Sequence, residues 1–195
     1  FGCNMLALNG GRPEQLTLRT FLTNFIAFRE EVVARRTAFE LRKARERSHI
    51  LCGLAVTVSN VDEIVATIRA SSDAAEAREK LLQRSWPANE IREYIALIDD
   101  PTHKINDDGS YNLSEAQVRA ILELRLQRLT QIGVKEVTDE LEALSFKIKD
   151  YLEILASRSK IMSIITGELN EVKEQFSLTR RTEICLLYTS PSPRD

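Results

Sequence analysis

The stretch VKEVTDELEALSFKIKDYLEIL, residues 134–155, decides the fold that this sequence predicts. Its apolar residues follow one another at alternating intervals of four and three, which is the spacing of a two-helix coiled-coil seam. These seam residues are Val137, Leu141, Leu144, Ile148, Tyr151 and Leu155. Because an apolar seam has to be covered, the pattern predicts a second long helix elsewhere in the chain.

Residues 18–58 provide that second helix. Their apolar residues keep mostly to the same spacing, at Leu18, Phe21, Leu22, Phe25, Phe28, Val32 and Phe39. The first pattern continues to Phe176, so the two rods are nearly equal in length, and each would span roughly 60 Å at 1.5 Å per residue. Since a block of shorter segments joins them, we predict that the rods pair in an antiparallel arrangement.

The composition favours a helical protein. Glycine and proline are few, at seven and five of 195 residues, and aromatic residues make up only 6%. The predicted fold class is mainly α, with a long antiparallel two-helix coiled-coil stalk and a small helical globular head. An apolar run before Asn9 and Gly10 predicts one strand ending in a tight turn, which adds a short β remnant at the N-terminus.

These patterns divide the chain into consecutive segments. We predict the end of an upstream domain over residues 1–17, a rising stalk helix over 18–59, a helical head over 60–132, descending stalk helices over 133–176 and the start of a linker over 177–184. Phe1 stands in mid-pattern, so we expect a fragment. Residues 185–195 match the translation of a common transposase sequencing adapter, so we expect them to be foreign to the gene.

Capping residues and turns predict where the shorter elements end. The predicted helix N-caps are Thr17, Asn60 and either Ser72 or Asp73. Pro87 is predicted to end one helix and begin another, and the polar residues 99–112 to form a surface loop. The Ser-Arg-Ser run at 157–159 is predicted to kink the descending rod.

Ser114 opens the strongest local helix, predicted over residues 113–130. Its Leu, Ile and Val residues occupy more than one face, and a helix of that kind needs more than one neighbour to bury them. We therefore predict that the head packs both on itself and on a second copy of the chain.

The sequence contains no recognisable catalytic, cofactor-binding or metal-binding motif. It has no Gly-rich phosphate loop with a lysine, and its three cysteines and two histidines lack ligand spacing. The acidic pairs at 99–100 and 107–108 are better explained as turn residues. No apolar run is long enough to cross a membrane and no secretory signal opens the chain, so we expect a cytoplasmic protein.

A basic run on the rising rod allows two interpretations. It comprises Arg35, Arg36, Arg42, Lys43, Arg45 and Arg47. These side chains could meet DNA phosphates, where each contact adds salt-dependent affinity. Alternatively they form a solvated coiled-coil face balanced by Glu140, Glu142 and Asp150 of the other rod. The scarcity of aromatic residues for base stacking favours the second interpretation.

Residues 30–51, EEVVARRTAFELRKARERSHIL, closely resemble the rising coiled-coil helix of the gyrase A-subunit family of bacterial type IIA topoisomerases. Residues 113–130 resemble that family's helix at the dimer exit gate, and 171–176 and 180–184 resemble the stretch leading to its DNA-wrapping domain. Residues 1–18 resemble the end of the tower domain. The resemblance covers residues 1–184, and the matching residues fit gyrase better than topoisomerase IV.

The resemblance implies an ATP-dependent type II topoisomerase that introduces negative supercoils by passing one duplex through a double-strand break in another. It implies double-stranded DNA, a second A subunit and the B subunit of an A2B2 complex as partners, with Mg²⁺ and ATP bound by the B subunit. The catalytic tyrosine would lie upstream of this chain, so the fragment alone would be inactive. The exit gate would use Leu113, Gln117, Ala120, Ile121, Leu124 and Arg125.

A non-enzymatic coiled-coil dimerisation or scaffold arm remains the alternative. The two hypotheses differ in the sequence expected before Phe1, since only a topoisomerase requires an Arg-Tyr pair in a winged-helix domain there.

Overall fold

A computed structural model describes residues 4–88, 92, 94, 95, 106, 109–123 and 134–182 of the chain. Its helices are α1 (Leu18–Ser59), α2 (Val61–Arg69), α3 (Ala74–Gln83), α4 (Glu115–Glu123), α5 (Val134–Ala156) and α6 (Arg158–Phe176). Its strands are β1 (Leu6–Asn9), β2 (Arg12–Gln15), β3 (Ser85–Pro87) and β4 (Ser110–Asn112). The predicted mainly α fold class is confirmed.

Helices α1 and α5 form the antiparallel stalk that the two heptad patterns predicted. Near the head, Arg47 Nε of α1 donates to Glu140 Oε1 of α5 at 2.9 Å. Further along, Arg158 Nη2 at the start of α6 donates to Glu30 Oε1 of α1 at 2.8 Å. Earlier residues of α1 therefore contact later residues of α5 and α6, as expected for antiparallel helices.

Burial of the α5 seam decreases from the head towards the base of the stalk. Leu141 and Ile148 are fully buried, whereas Leu155, the last residue but one of the helix, is 36% exposed. The helix stops at Ala156, and Ser157 separates it from α6. The predicted kink at the Ser-Arg-Ser run is therefore confirmed as a break between two helices.

The head core lies where the C-terminal third of α1 meets α2, α3, α4 and the β3–β4 pair. Trp86 and Tyr111 face each other across that pair, and both are almost completely buried. Around them pack Leu51, Cys52, Ala55, Val56, Ile64, Leu81, Leu113, Val118 and Ile121. This cluster also takes in Leu141 of α5, so the core of the head continues into the stalk seam.

Two predictions for the head are corrected. Pro87 ends strand β3 instead of starting a helix, and residues 110–112, predicted as loop, form the antiparallel partner of β3. These strands have three residues each, too few for the alternation that identifies a strand in a sequence. Tyr94 and Ile95 of the predicted helix are helical, while Ile91 and Ile98 lie outside the described residues.

The predicted caps are borne out, with one difference in chemistry. Thr17 Oγ1 accepts from Thr20 N at 3.2 Å, and Asp73 Oδ1 accepts from Glu76 N at 2.7 Å. Asn60 occupies the N-cap position of α2 but makes no side-chain cap bond. Its amide instead donates to Val56 O at 2.8 Å, satisfying a terminal carbonyl of α1, because the same residue also caps that helix.

The N-terminal strand is part of a hairpin. Strands β1 and β2 pair antiparallel around Gly10 and Gly11, whose φ values of 57° and 81° suit the two-residue turn that matches strand twist. Strand β2 is not predicted from the sequence, because residues 12–15 include Pro13 and have no apolar alternation. The predicted adapter segment, residues 185–195, lies outside the described residues.

Among the described residues, no single helix is both long enough and apolar enough to cross a membrane. Only α1 and α2 taken together, with a 90° bend between them, meet that length and composition test.

Candidate dimer interface and nucleic-acid face

Helix α4, the start of the predicted dimer helix, begins with a reciprocal cap. Ser114 Oγ accepts from Gln117 N at 3.2 Å, and Gln117 Oε1 accepts from Ser114 N at 2.9 Å. This is a capping box, in which the residue at the helix start and the residue three positions later satisfy each other's backbone amides. Gln117 is therefore fixed at the start of its own helix, independently of its contacts with other segments.

The side chain of Gln117 also joins α4 to the stalk. Its Nε2 donates to the backbone oxygen of His49 in α1 at 2.6 Å and to Tyr111 Oη in β4 at 2.9 Å. Beside it, His49 Nε2 and Ser114 Oγ lie 2.7 Å apart. Gln117 is fully buried, and its hydrogen bonds offset the cost of removing its amide from water.

Gly53 of α1 makes this close approach possible. A Cβ at that position would lie 2.7 Å from both Cβ and Cγ of Gln117, far inside van der Waals contact. Since glycine normally weakens the middle of a helix, its presence here has a packing reason: it admits the glutamine against the α1 backbone. The pair of Gly53 and Gln117 is called the joint below.

Cys52, next to the joint, is completely buried. Burial raises the pKa of its thiol to about 12, because the thiolate would lose its water. The thiol is therefore protonated and shielded as long as the head stays packed on α1.

The structure places half of the predicted gate residues inside the chain itself. Leu113, Gln117 and Ile121 are buried in the head core and against α1, so their side chains are not available to a second copy in this conformation. Ala120 is half-buried on the same helix. Leu124 and Arg125 lie outside the described residues.

Two signals in the sequence could have identified the joint. A Ser followed three residues later by Gln predicts a capping box, and a lone Gly in a 42-residue helix predicts a close neighbour. Apolar periodicity alone could not separate residues that face the chain's own core from residues that face a partner, because both kinds of surface are apolar.

Three of the predicted DNA-facing residues share one exposed face of α1. At 3.6 residues per turn, Arg35, Arg42 and Lys43 lie on the side opposite the buried Leu41 and Ala44. The ring of Phe39 lies among them, with Arg42 Cζ 5.4 Å and Lys43 Nζ 4.8 Å from its centre. These three cations and Phe39 are called the basic face below.

The other predicted basic residues point elsewhere. Arg36 donates to Glu168 of α6 at 2.6 Å, and Arg47 binds Glu140 of α5 through two nitrogens. Arg45 is half-buried on another side of the helix. The run is therefore divided: some members join α1 to the descending helices, and others face solvent.

Acidic neighbours partly balance the basic face. Arg35 pairs with Glu31, and Arg42 lies 3.9 Å from Glu46, each within α1. Because exposed pairs of this kind contribute little free energy, they leave the arginines able to exchange partners. The interpretation as a DNA-facing surface stays a prediction.

Glu168 links α6 to α1 through two arginines. Hydrogen bonding from Arg36, with a further contribution from Arg29, holds the pKa of the Glu168 carboxyl below its usual value. The carboxylate is therefore charged at neutral pH and keeps α6 beside α1 beyond the break at Ser157.

The part of the chain that the structure describes contains no group of three His, Cys, Asp or Glu side chains placed to hold a metal ion. The expectation that Mg²⁺ and ATP bind elsewhere in a complete enzyme stays a prediction.

Comparison with known proteins gives consistent results. The family model for the A subunit of DNA gyrase/topoisomerase IV matches residues 1–170. The DNA gyrase A subunit of Haemophilus influenzae is 48% identical over 189 residues, covering 94% of this chain and 22% of that protein. The same subunit of Granulibacter bethesdensis is 42% identical, and that of Rickettsia bellii 43%, each with 94% of this chain and 20% of the relative covered. The chain thus spans about a fifth of the length of these relatives.

Proposed function

Since this chain belongs to the family of DNA gyrase/topoisomerase IV A subunits, we propose that it forms the coiled-coil stalk and the dimer exit gate of a DNA gyrase. The observation that carries the proposal is the antiparallel stalk of α1 and α5 with a compact head at one end. Such a rod suits a segment that holds two subunits together at a distance from the site where DNA is cleaved.

The remaining parts of the proposal concern the complete enzyme. It would introduce negative supercoils by ATP-dependent double-strand passage, as an A2B2 complex in the cytoplasm. Double-stranded DNA and a second A subunit would contact this segment, while the B subunit would bind ATP and Mg²⁺. The proposal assigns no catalytic residue to this segment. Its role would be to hold two subunits together and to release the passed duplex.

The proposed gate is an isologous contact between two heads. In such a contact the same patch on both copies meets across a twofold axis, so one helix can meet its own counterpart. Ala120 is the described member of the predicted patch whose side chain the head core does not bury completely. On either side of it, Arg119 and Glu123 are exposed. The patch would therefore have a small apolar centre with charged edges.

A disulfide across the gate tests this proposal. Residues 4–182 would replace the matching segment of the Haemophilus influenzae protein, in a background without other exposed cysteines, and would carry Ala120→Cys. Because Ala120 would lie near the twofold axis, we expect oxidation to link two subunits covalently. A closed gate would trap the passed duplex, so DNA supercoiling should stop on oxidation and return on reduction.

The matched control is Ala143→Cys, an exposed alanine on α5 that lies outside the predicted gate patch. It should remain unlinked under the same oxidation. A scaffold arm without gate function would give a different result for Ala120→Cys: either no link forms, or the linked enzyme supercoils DNA at its normal rate. Either of those results contradicts the proposal.

We also propose that the basic face contacts double-stranded DNA. Support comes from the position of Arg35, Arg42 and Lys43 on the side of α1 turned away from α5. Replacing all three by glutamine should weaken DNA binding by the complete protein, because up to three phosphate contacts are lost. The slope of log affinity against log salt should fall by up to about three. Fluorescence anisotropy with a labelled duplex at several salt concentrations measures both.

The control for the basic face is Arg78→Gln, on the head. Arg78 pairs with Glu115 and lies outside the basic face, so its loss should leave the salt slope unchanged. An unchanged slope in the triple variant would exclude DNA contact by this surface.

A further inference from the structure

We infer that Gln117 is a positioning residue that fixes the orientation of the head on the stalk. The resemblance implies that this residue contacts a second copy, whereas its buried hydrogen bonds lie within one chain. The inference rests on the proposed function only for its consequence at the gate. The orientation itself can be measured on the chain alone.

Gln117 connects three separate segments through one amide group. Its Nε2 reaches the backbone of α1 at His49 and the hydroxyl of Tyr111 in β4, while its Oε1 holds the start of α4 at Ser114. The position of one side chain is therefore fixed by partners that lie 68 and 6 residues away in the sequence. Moving α4 relative to α1 would break these bonds in a buried site, where unpaired polar groups are costly.

Gly53 makes the fit specific to one position along α1. The carbon atoms of Gln117 occupy the space that a Cβ at residue 53 would fill. Every neighbouring residue of α1 has a Cβ, since Cys52 precedes the glycine and Leu54 follows it. Sliding α4 by one residue along α1 would therefore place the glutamine against a side chain instead of bare backbone.

The apolar contacts around the joint do not supply this specificity, and the polar contact between His49 and Ser114 acts beside Gln117. Val118 and Ile121 pack into an apolar cluster with α1 and α5, and apolar contacts are non-directional. Cores of this kind tolerate changed packing and lose a unique arrangement before they lose stability. The hydrogen bonds of Gln117 supply the direction that the apolar contacts lack.

In the proposed gate, orientation matters because both copies have to present the same patch to each other. Without the joint, the head would stay packed on the stalk but would occupy several angles. Gate contacts between two such heads would form less often, although neither copy had unfolded.

The experiment measures the distance between the stalk and the head in the 195-residue chain. Spin labels are attached at Ala38→Cys on α1 and Ala75→Cys on α3, both exposed, with Cys3 and Cys185 replaced by serine. Cys52 stays, because its buried thiol should not react. Pulsed electron resonance should give one narrow distance distribution for the parent chain.

The test variant is Gln117→Met, which keeps the length of the side chain and removes its hydrogen bonds. We expect a helical, cooperatively folded chain with a broadened or displaced distance distribution. Leu122→Met, a swap on the same helix that changes no polar group, should leave the distribution narrow. A narrow, unshifted distribution in Gln117→Met would overturn the inference.

Tyr111→Phe provides a second variant should Gln117→Met fail to fold. It removes one hydroxyl from the same network and leaves the glutamine in place. We expect a smaller broadening, and an unchanged distribution would then count against the inference. The gate is tested separately: with Ala120→Cys, Gln117→Met should lower the yield of linked dimer. If Ala120→Cys forms no link with Gln117 intact, the proposed gate fails while the measured orientation stands.

Discussion

Gly53→Ala is expected to destabilise the chain by about 1–3 kcal/mol, although alanine is the better helix former. The new Cβ would overlap Cβ and Cγ of Gln117, both 2.7 Å away. Gln117 cannot turn aside without leaving the backbone oxygen of His49 and the amide of Ser114 unpaired in a buried site. The helices must separate instead, which loosens the head core around them.

Gly167→Ala is the matched control, because it makes the same change in another helix. A Cβ at Gly167 in α6 would meet nothing within 4 Å. Because no clash arises there, the substitution only reduces the conformational freedom of the unfolded chain. It should therefore stabilise the chain by about 0.5–1 kcal/mol. Urea unfolding followed by circular dichroism measures both effects. A stabilising shift in both variants would show that the joint is not tightly packed.

Cys52 gives an independent measurement of the same event. In a chain whose other two cysteines are serine, its thiol should react slowly with an aromatic disulfide reagent, since it is buried and protonated. Gly53→Ala should raise that rate under native conditions, whereas Gly167→Ala should not. An equal rate in all three chains would mean that the head stays closed over Cys52.

Leu141→Ala should have the second large effect, a loss of about 2–5 kcal/mol of unfolding free energy. Leu141 is fully buried where the stalk seam joins the head core. Removing three carbon atoms there leaves a cavity that surrounding helices cannot close, since they are held on several sides. Urea unfolding measures the loss, and thermal melting should show it as a lower midpoint.

Leu155→Ala is the control from the same heptad pattern. Leu155 is 36% exposed near the end of α5, so its truncation removes less contact and should cost no more than about 1 kcal/mol. Sequence alone gives the two leucines equivalent seam positions. Equal losses in the two variants would contradict the decrease in burial from the head towards the base.

The sequence predicts the stalk well because its signals are local and repeated. Heptad spacing identifies α1 and α5, hydroxyl and carboxylate caps identify Thr17 and Asp73, and the Ser-Arg-Ser run identifies the break at Ser157. Each of these depends on residues within a few positions of one another, where spacing and conformation are directly connected.

The head is less predictable because its structure depends on contacts between distant segments. Strand β3 is recognisable only beside β4, whose Tyr111 pairs with Trp86, 25 positions earlier in the sequence. Gln117 is predicted to contact a second copy at the exit gate, whereas the structure buries it against Gly53. A polar residue on an apolar helix gives no indication of whether water, a partner or the same chain will satisfy it.

The joint also has a consequence for the order of folding. Contact between His49 and Gln117 closes a loop of 68 residues, while Arg47 and Glu140 are 93 residues apart. Once the joint has formed, only roughly 25 residues of chain separate the next pair across the stalk, which lowers the entropy cost of closing it by about 1 kcal/mol. The coiled coil should therefore assemble from the head downwards, with the base pairing last.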